Sequence, residues 1–230
     1  MPNPLHPTAH VLTVAATGAS GALFTREMLL ILERDERVQR VNFIASDNAM
    51  RVFAEELGIK GRNNLVQQLL GKQSEKIQAQ NNDDIGANVA SGSYPTHAMI
   101  VIPCSMGTLA RVAHGLAGNL IDRAADVCLK EKRPLVLCTR ETPLNRVHIR
   151  NMDWAAEAGA TIYPLIPTFY NQPKSFEEMA QQFACRVLQF VGLEQKGAYQ
   201  WGAEHLPRRH RDTEENQKNV PLIKPTMSEW

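Results

Sequence analysis

The sequence predicts a single α/β domain whose parallel sheet is covered by helices on both faces. Its 230 residues, 43% hydrophobic and 21% charged, suffice for one sizeable core. Short apolar runs that read as buried strands alternate with stretches of helical periodicity, the rhythm of strand–helix–strand units. Glycine and hydroxyl residues stand at the junctions, where such units turn.

The elements follow in order. "HVLTVAA" (10–16) reads as a strand, "TGASGA" (17–22) as a glycine turn, and "LFTREMLLILERD" (23–35) as an amphipathic helix with Leu23, Met28, Leu29 and Leu32 on one face. The pattern recurs as "VNFIAS" (41–46) then "DNAMRVFAEEL" (47–57), "AMIVIPC" (98–104) then "SMGTLARVAHGL" (105–116), and "PLVLCT" (134–139) then "TPLNRVHIRNMDWAAEAG" (142–159). A last strand, "ATIYPLI" (160–166), precedes the helix "SFEEMAQQFACRVLQFVG" (175–192). Residues 105–129 read as helical, alanine-rich and apolar, and in "NLIDRAADVCLKEKRP" Arg123 and Lys130 share a stripe with Asp126 between them. Thr142 is expected to cap the next helix, with Pro143 as its first residue. The polar stretch 59–96 is expected to form a helix and a long loop outside the sheet. The domain is expected to span 11–201, between a flexible N-terminus (1–10) and a charged tail (202–230) that is loose or wrapped on a neighbouring subunit.

Composition narrows the function. With 25 basic and 24 acidic residues, no field attracts nucleic acid or an anionic membrane, so an anionic ligand must be held by local groups. Cys104, Cys128, Cys138 and Cys185 lie in apolar runs without a CxxC pair, as suits buried thiols in the cytoplasm. The N-terminal stretch lacks a basic region and is too short to span a membrane. The seven histidines show no metal-binding spacing; His148 reads as a helix-face residue.

In open parallel sheets ligands bind beyond the carboxyl ends of the strands. Those positions hold Gly18, Ala19, Ser20 and Gly21, then Ser46, then Ser105 to Thr108, then Arg140 and Glu141. Glycines admit a ligand close to the backbone, and helix N-termini with Ser or Thr caps accept phosphate. "GASGA" matches neither the dinucleotide fingerprint nor the Walker pattern. Arg140 and Glu141, adjacent in an extended segment, face opposite sides.

Together "GASGA", "ASGS", "PCSMGTLA", "NLIDRAADVCLKEKRPLVLCTRETPL", "HIRNM" and "PTFYNQP" resemble the UbiX-type flavin prenyltransferases, once described as aromatic-acid decarboxylases. The likeness runs from about residue 11 to about residue 201. It implies a flavodoxin-like subunit of a homododecamer that joins a dimethylallyl group to N5 and C6 of reduced FMN. The product, prenylated FMN, serves UbiD-type decarboxylases; the donor is dimethylallyl phosphate, and no metal is needed.

By matching motif position, the resemblance assigns the flavin nucleotide to Gly18, Ala19, Ser20, Ser46, Ser105, Met106, Gly107, Thr108 and Arg140. It assigns the prenyl phosphate to Ser91, Gly92, Lys130, Tyr170 and Arg186, with Arg123 nearby. Glu141 is the implied acid/base, supported by Ser20 and Glu56. Where some members carry Trp before "ASGS", this chain reads "DDIGANVASGS", with Ile85 at that wall. FMN-dependent cysteine decarboxylases, the rival class, carry a PxMNxxMW clamp that this sequence lacks, and a non-catalytic flavin-binding subunit would not need all of Lys130, Glu141, Tyr170 and Arg186.

Overall fold

The structure is a computed structural model and describes residues 10–195. The expectations for residues 1–9 and for the tail 202–230 lie outside the described residues. In chain order the elements are β1 (His10–Ala16), α1 (Ala22–Arg34), β2 (Val38–Ala45), α2 (Asp47–Leu57), α3 (Leu65–Leu70), β3 (Ile77–Gln80), β4 (Ala98–Cys104), α4 (Met106–Ala113), α5 (Leu120–Lys130), β5 (Leu135–Thr139), α6 (Arg146–Glu157), β6 (Thr161–Ile162) and α7 (Phe176–Phe190). The strands form one sheet, parallel throughout, in the order β3-β2-β1-β4-β5-β6. The chain winds outward from β1 to β3, then returns to lay β4 on the other side of β1. The space beyond the carboxyl ends of β1 and β4 is therefore the switch point of the sheet.

Alternate side chains on each strand feed two cores. Leu12, Val14 and Ala16, with Ile100 and Ile102, pack with α1, α2, α3 and α7. Ala15, Met99 and Val101 pack with α4, α5 and α6 on the other face. In α1 the expected stripe is inside: Met28, Leu29 and Leu32 are fully buried and Leu23 partly so.

Four expectations change. The stretch 59–96 is not wholly outside the sheet, because Ile77–Gln80 pairs with Val41–Ile44 as an edge strand. Only Ile77 of that strand is buried, so it carries little apolar signal; Gln80 Nε2 instead donates to Asn42 Oδ1 at 2.8 Å and Asn88 Oδ1 at 2.7 Å. The helical run 105–129 is two helices, parted by a turn in which Gly115 adopts φ +65°, and Asn119 caps the second by accepting from Asp122 N at 3.0 Å. Thr142 is not the next cap. Asn145 is: its Oδ1 accepts from His148 N at 2.9 Å while the His148 ring accepts from Asn145 N at 3.4 Å, a reciprocal box that starts α6 at Arg146. The last strand shortens to two residues, since Pro164 and Pro167 lack the N–H needed to extend it.

Asp35, which ends α1, accepts from Arg37 Nε at 2.9 Å and Nη2 at 2.6 Å, and from Gln195 Nε2 at 2.9 Å. The Arg37 hydrogen bonds hold its carboxyl well below the usual range. A group with a depressed folded pKa stabilises above its unfolded value, and that contribution is lost as pH falls through the folded one. Asp35→Asn should therefore lower the melting temperature at pH 7, with the difference from the parent shrinking below about pH 4. Thermal melts across that range check it; an equal deficit at all pH values would contradict it.

All four cysteines are free and buried. Burial pushes the Cys104 and Cys128 thiols up to about 12 and the Cys138 thiol well above its ordinary value. Thiolate is the reactive form. A disulfide reagent at pH 8 should thus react slowly with native protein and count four thiols after denaturation; a fast native thiol would contradict this. Among the described residues no helix is long and apolar enough to cross a membrane.

Candidate functional site

Register brings the strand-end residues together. Thr17 N donates to Pro103 O at 3.1 Å, Ser46 N to Ala16 O at 3.1 Å, and Arg140 N to Cys104 O at 3.1 Å, so each chain leaves the sheet beside its neighbour. Thr17 Oγ1 donates to Pro103 O at 3.0 Å and accepts from Ser105 N at 2.7 Å, tying β1 to β4 across the switch point. Gly18, Ala19, Ser20, Ser46, Ser105 to Thr108 and Arg140 thereby share one edge. A Cβ on Gly18 would collide with Asn48 Cβ, so only glycine lets this loop run against the start of α2.

Three features suit an anionic nucleotide. Ser46 caps α2, and Ser105 caps α4 by accepting from Thr108 N, leaving the Met106 and Gly107 amides among the first-turn donors that a helix cannot satisfy itself. The exposed Arg140 guanidinium has no acceptor among the described residues. Thr139 Oγ1, at the end of β5, is buried without a partner. A flavin mononucleotide, with one phosphate and a ring bearing donors and acceptors, fits this set of groups.

The amino end of α1 does not serve as expected. Glu56, reaching from α2, accepts from Gly21 N at 3.0 Å and Ala22 N at 2.7 Å and occupies the terminus left uncapped by Gly21. A phosphate near "GASGA" must rely on Ser20, which is exposed, and on neighbouring loops. Glu56 is a cap in this subunit, with its carboxylate engaged by two amides.

The residues assigned to the prenyl phosphate fall into two groups. Lys130 ends α5 just ahead of β5, and Arg133 Nη1 and Nη2 bond Tyr94 O and Gly92 O at the amino edge of the sheet. Ser91 and Gly92 lie there too; a Cβ on Gly92 would stand 2.9 Å from Lys130 Nζ and collide with Glu131 Oε1. Tyr170 and Arg186 lie elsewhere, on the α7 side, beyond the carboxyl end of β6, where both interact with Tyr163. Leu165 N donates to Thr139 O at 2.8 Å and fixes that loop at the carboxyl edge. Strand β4, seven residues long, separates the edges by roughly 20 Å. One subunit cannot bring both groups to one small phosphate.

Within the subunit Lys130 pairs with Glu131 at 2.8 Å and Arg123 with Asp126 at 2.9 Å. Glu141 stands next to Arg140, exposed, with Oε1 accepting from Thr142 N at 3.0 Å. Ile85 is exposed at 58%. Reading the sequence missed Thr17, Thr139 and Asn171, whose buried Oδ1 also has no partner beside Tyr170. A hydroxyl at a strand end, with Thr17 just after β1 and Thr139 as the last residue of β5, was the available signal for the first two.

The Flavoprotein family model matches residues 3–181. Flavin prenyltransferase UbiX of Pseudomonas aeruginosa is 40% identical over 201 residues, covering 85% of this chain and 95% of that protein. AnUbiX (PadA1), solved in complex with FMN and dimethylallyl pyrophosphate, superposes with a TM-score of 0.70 at 36% identity, covering 82% of this chain and 97% of that one. A dodecameric FMN-dependent Ubix-like decarboxylase from Escherichia coli O157:H7 superposes with a TM-score of 0.73 at 37% identity, covering 83% and 98%.

Proposed function

Since the chain belongs to the UbiX flavin prenyltransferases of the Flavoprotein family, we propose that it joins the dimethylallyl group of dimethylallyl phosphate to N5 and C6 of reduced FMN. The observation that carries the reading is an acceptor-free Arg140 followed by Glu141 just past the carboxyl end of β5, beside the end of β4. Gly18, Ala19, Ser20, Ser46, Ser105 to Thr108 and Arg140 hold the nucleotide, with Thr139 Oγ1 as a further polar contact. When bound, reduced FMN supplies the two nucleophilic atoms and an aromatic face. Lys130, Arg186 and Tyr170, with Ser91, Gly92 and Arg123, bind the donor phosphate and neutralise it as it departs. Glu141 accepts the proton released on substitution at C6 and relays it to the leaving phosphate. Ser20 supports it, and Glu56 holds the Ser20 loop by capping α1.

The separation of Lys130 from Arg186 supports an active site built from several copies, in a homododecamer like that of the Escherichia coli neighbour. The product passes to a UbiD-type decarboxylase, in the cytoplasm, where unpaired thiols persist. Incubating the protein anaerobically with reduced FMN and dimethylallyl phosphate tests the reading. The recovered flavin should be heavier by one five-carbon prenyl unit; unmodified FMN after prolonged incubation would overturn it.

A further inference from the structure

Arg111 lies one turn after Gly107 on α4, and long helical side chains lean back toward the amino end. Its Nε donates to Asp122 Oδ2 at 2.6 Å and its Nη2 to Thr108 Oγ1 at 3.1 Å. Nη1 has no acceptor among the described residues and lies beside Gly107, where an added Cβ would come within 3.6 Å of it. Two anchors therefore hold the guanidinium, with one nitrogen still able to donate.

The anchor is costly. The Asp122 side chain is 0% exposed, and Oδ2 accepts both Arg111 Nε and Asn119 Nδ2, the latter at 2.8 Å, while Oδ1 is buried without a partner. Burying a carboxylate with an unsatisfied oxygen is unfavourable unless its partner is held well. Thr108 extends the chain: Ser105 Oγ donates to Thr108 Oγ1 at 3.2 Å, and Ser105 N to Thr17 Oγ1 at 2.7 Å. The guanidinium is thus coupled to both strand ends that flank the switch point.

We propose that Arg111 is a further FMN-binding residue, with Asp122 as its positioning residue, holding a negative group of the nucleotide beside the first turn of α4. The inference rests on the FMN site proposed above. Two parts of the ligand carry negative charge, the phosphate and the pyrimidine edge of the reduced ring, and a guanidinium fork suits either.

Replacing Arg111 alone would leave Asp122 buried and unpaired and endanger folding. The decisive variant is Arg111→Met/Asp122→Leu, which removes both charges and keeps the packing apolar. Fluorescence titrations of the full chain with FMN and riboflavin, oxidised and reduced, alongside a thermal melt, should show FMN binding weakened about tenfold or more in a folded protein. A loss seen with FMN but not riboflavin supports the phosphate as partner; a loss shared by riboflavin and larger for the reduced form supports the ring edge. FMN affinity equal to the parent's overturns the proposal. Should the double variant fail to fold, Arg111→Lys, which keeps the charge and loses the fork, should weaken FMN in the same direction, and unchanged affinity there overturns it equally. Ser46→Ala run in parallel separates the two readings: if it weakens FMN and the double variant does not, only Arg111 is removed from the site, whereas normal binding in both displaces the site itself.

Discussion

Glu141→Gln should bind FMN and prenyl donor as the parent does, yet form the second flavin bond at least ~100-fold more slowly. The substitution keeps shape and hydrogen bonding but removes the basic oxygen. Glu141 follows the end of β5 by two residues, exposed, and makes no ion pair among the described residues; its carboxylate accepts there only from the Thr142 N–H, at 3.0 Å. Lys130, a candidate to quench it, is held by Glu131 at the far edge of the same subunit. Single-turnover mixing of reduced FMN with donor, read by flavin absorbance and product mass, checks the expectation. Parent-like formation of the prenylated product would remove Glu141 from proton transfer.

Lys130→Ala and Arg186→Ala should each weaken prenyl phosphate binding by about 1.5–3 kcal/mol and leave FMN affinity unchanged, since each removes one charge-assisted contact. Their positions on opposite edges of the sheet add a sharper expectation. If a site draws Lys130 from one copy and Arg186 from another, co-expressing the two weakened variants yields mixed oligomers in which about a quarter of the sites are intact by random assortment. At a donor concentration too low to saturate either variant, activity in the mixture above that of either variant alone is the expected result. Lack of recovery in mixed oligomers confirmed by mass would place both residues in one subunit's site or in neither.

Much of this was legible in the sequence. The bounds of β1, β4 and α2 were readable because fully buried apolar runs and the Ser46 cap announce them. A parallel sheet gathers strand ends on one edge, so Ser46, Ser105 and Arg140 could be grouped from the order of elements. β3 was hidden by its polarity: one buried residue and a side-chain network to Asn42 replace the apolar signal. The Glu56 cap was hidden because its amides lie more than thirty positions away, at Gly21 and Ala22. The division of Lys130 from Arg186 was hidden because it depends on where α5 ends and on which face α7 packs, neither of which local periodicity encodes.

The two edges of the sheet have a further consequence for how copies can join. β3 offers four residues and β6 two, with prolines following the latter. Strands this short provide too few backbone bonds to extend a sheet from one molecule to the next, which protects a crowded population of nascent chains against fibrillar growth. Among the described residues, contacts between copies in the proposed oligomer then fall to helices and loops, where Ile166, Phe169 and Phe176 stand 70%, 69% and 74% exposed. In the proposed homododecamer, assembly is thereby tied to surfaces that take shape only once the chain has folded.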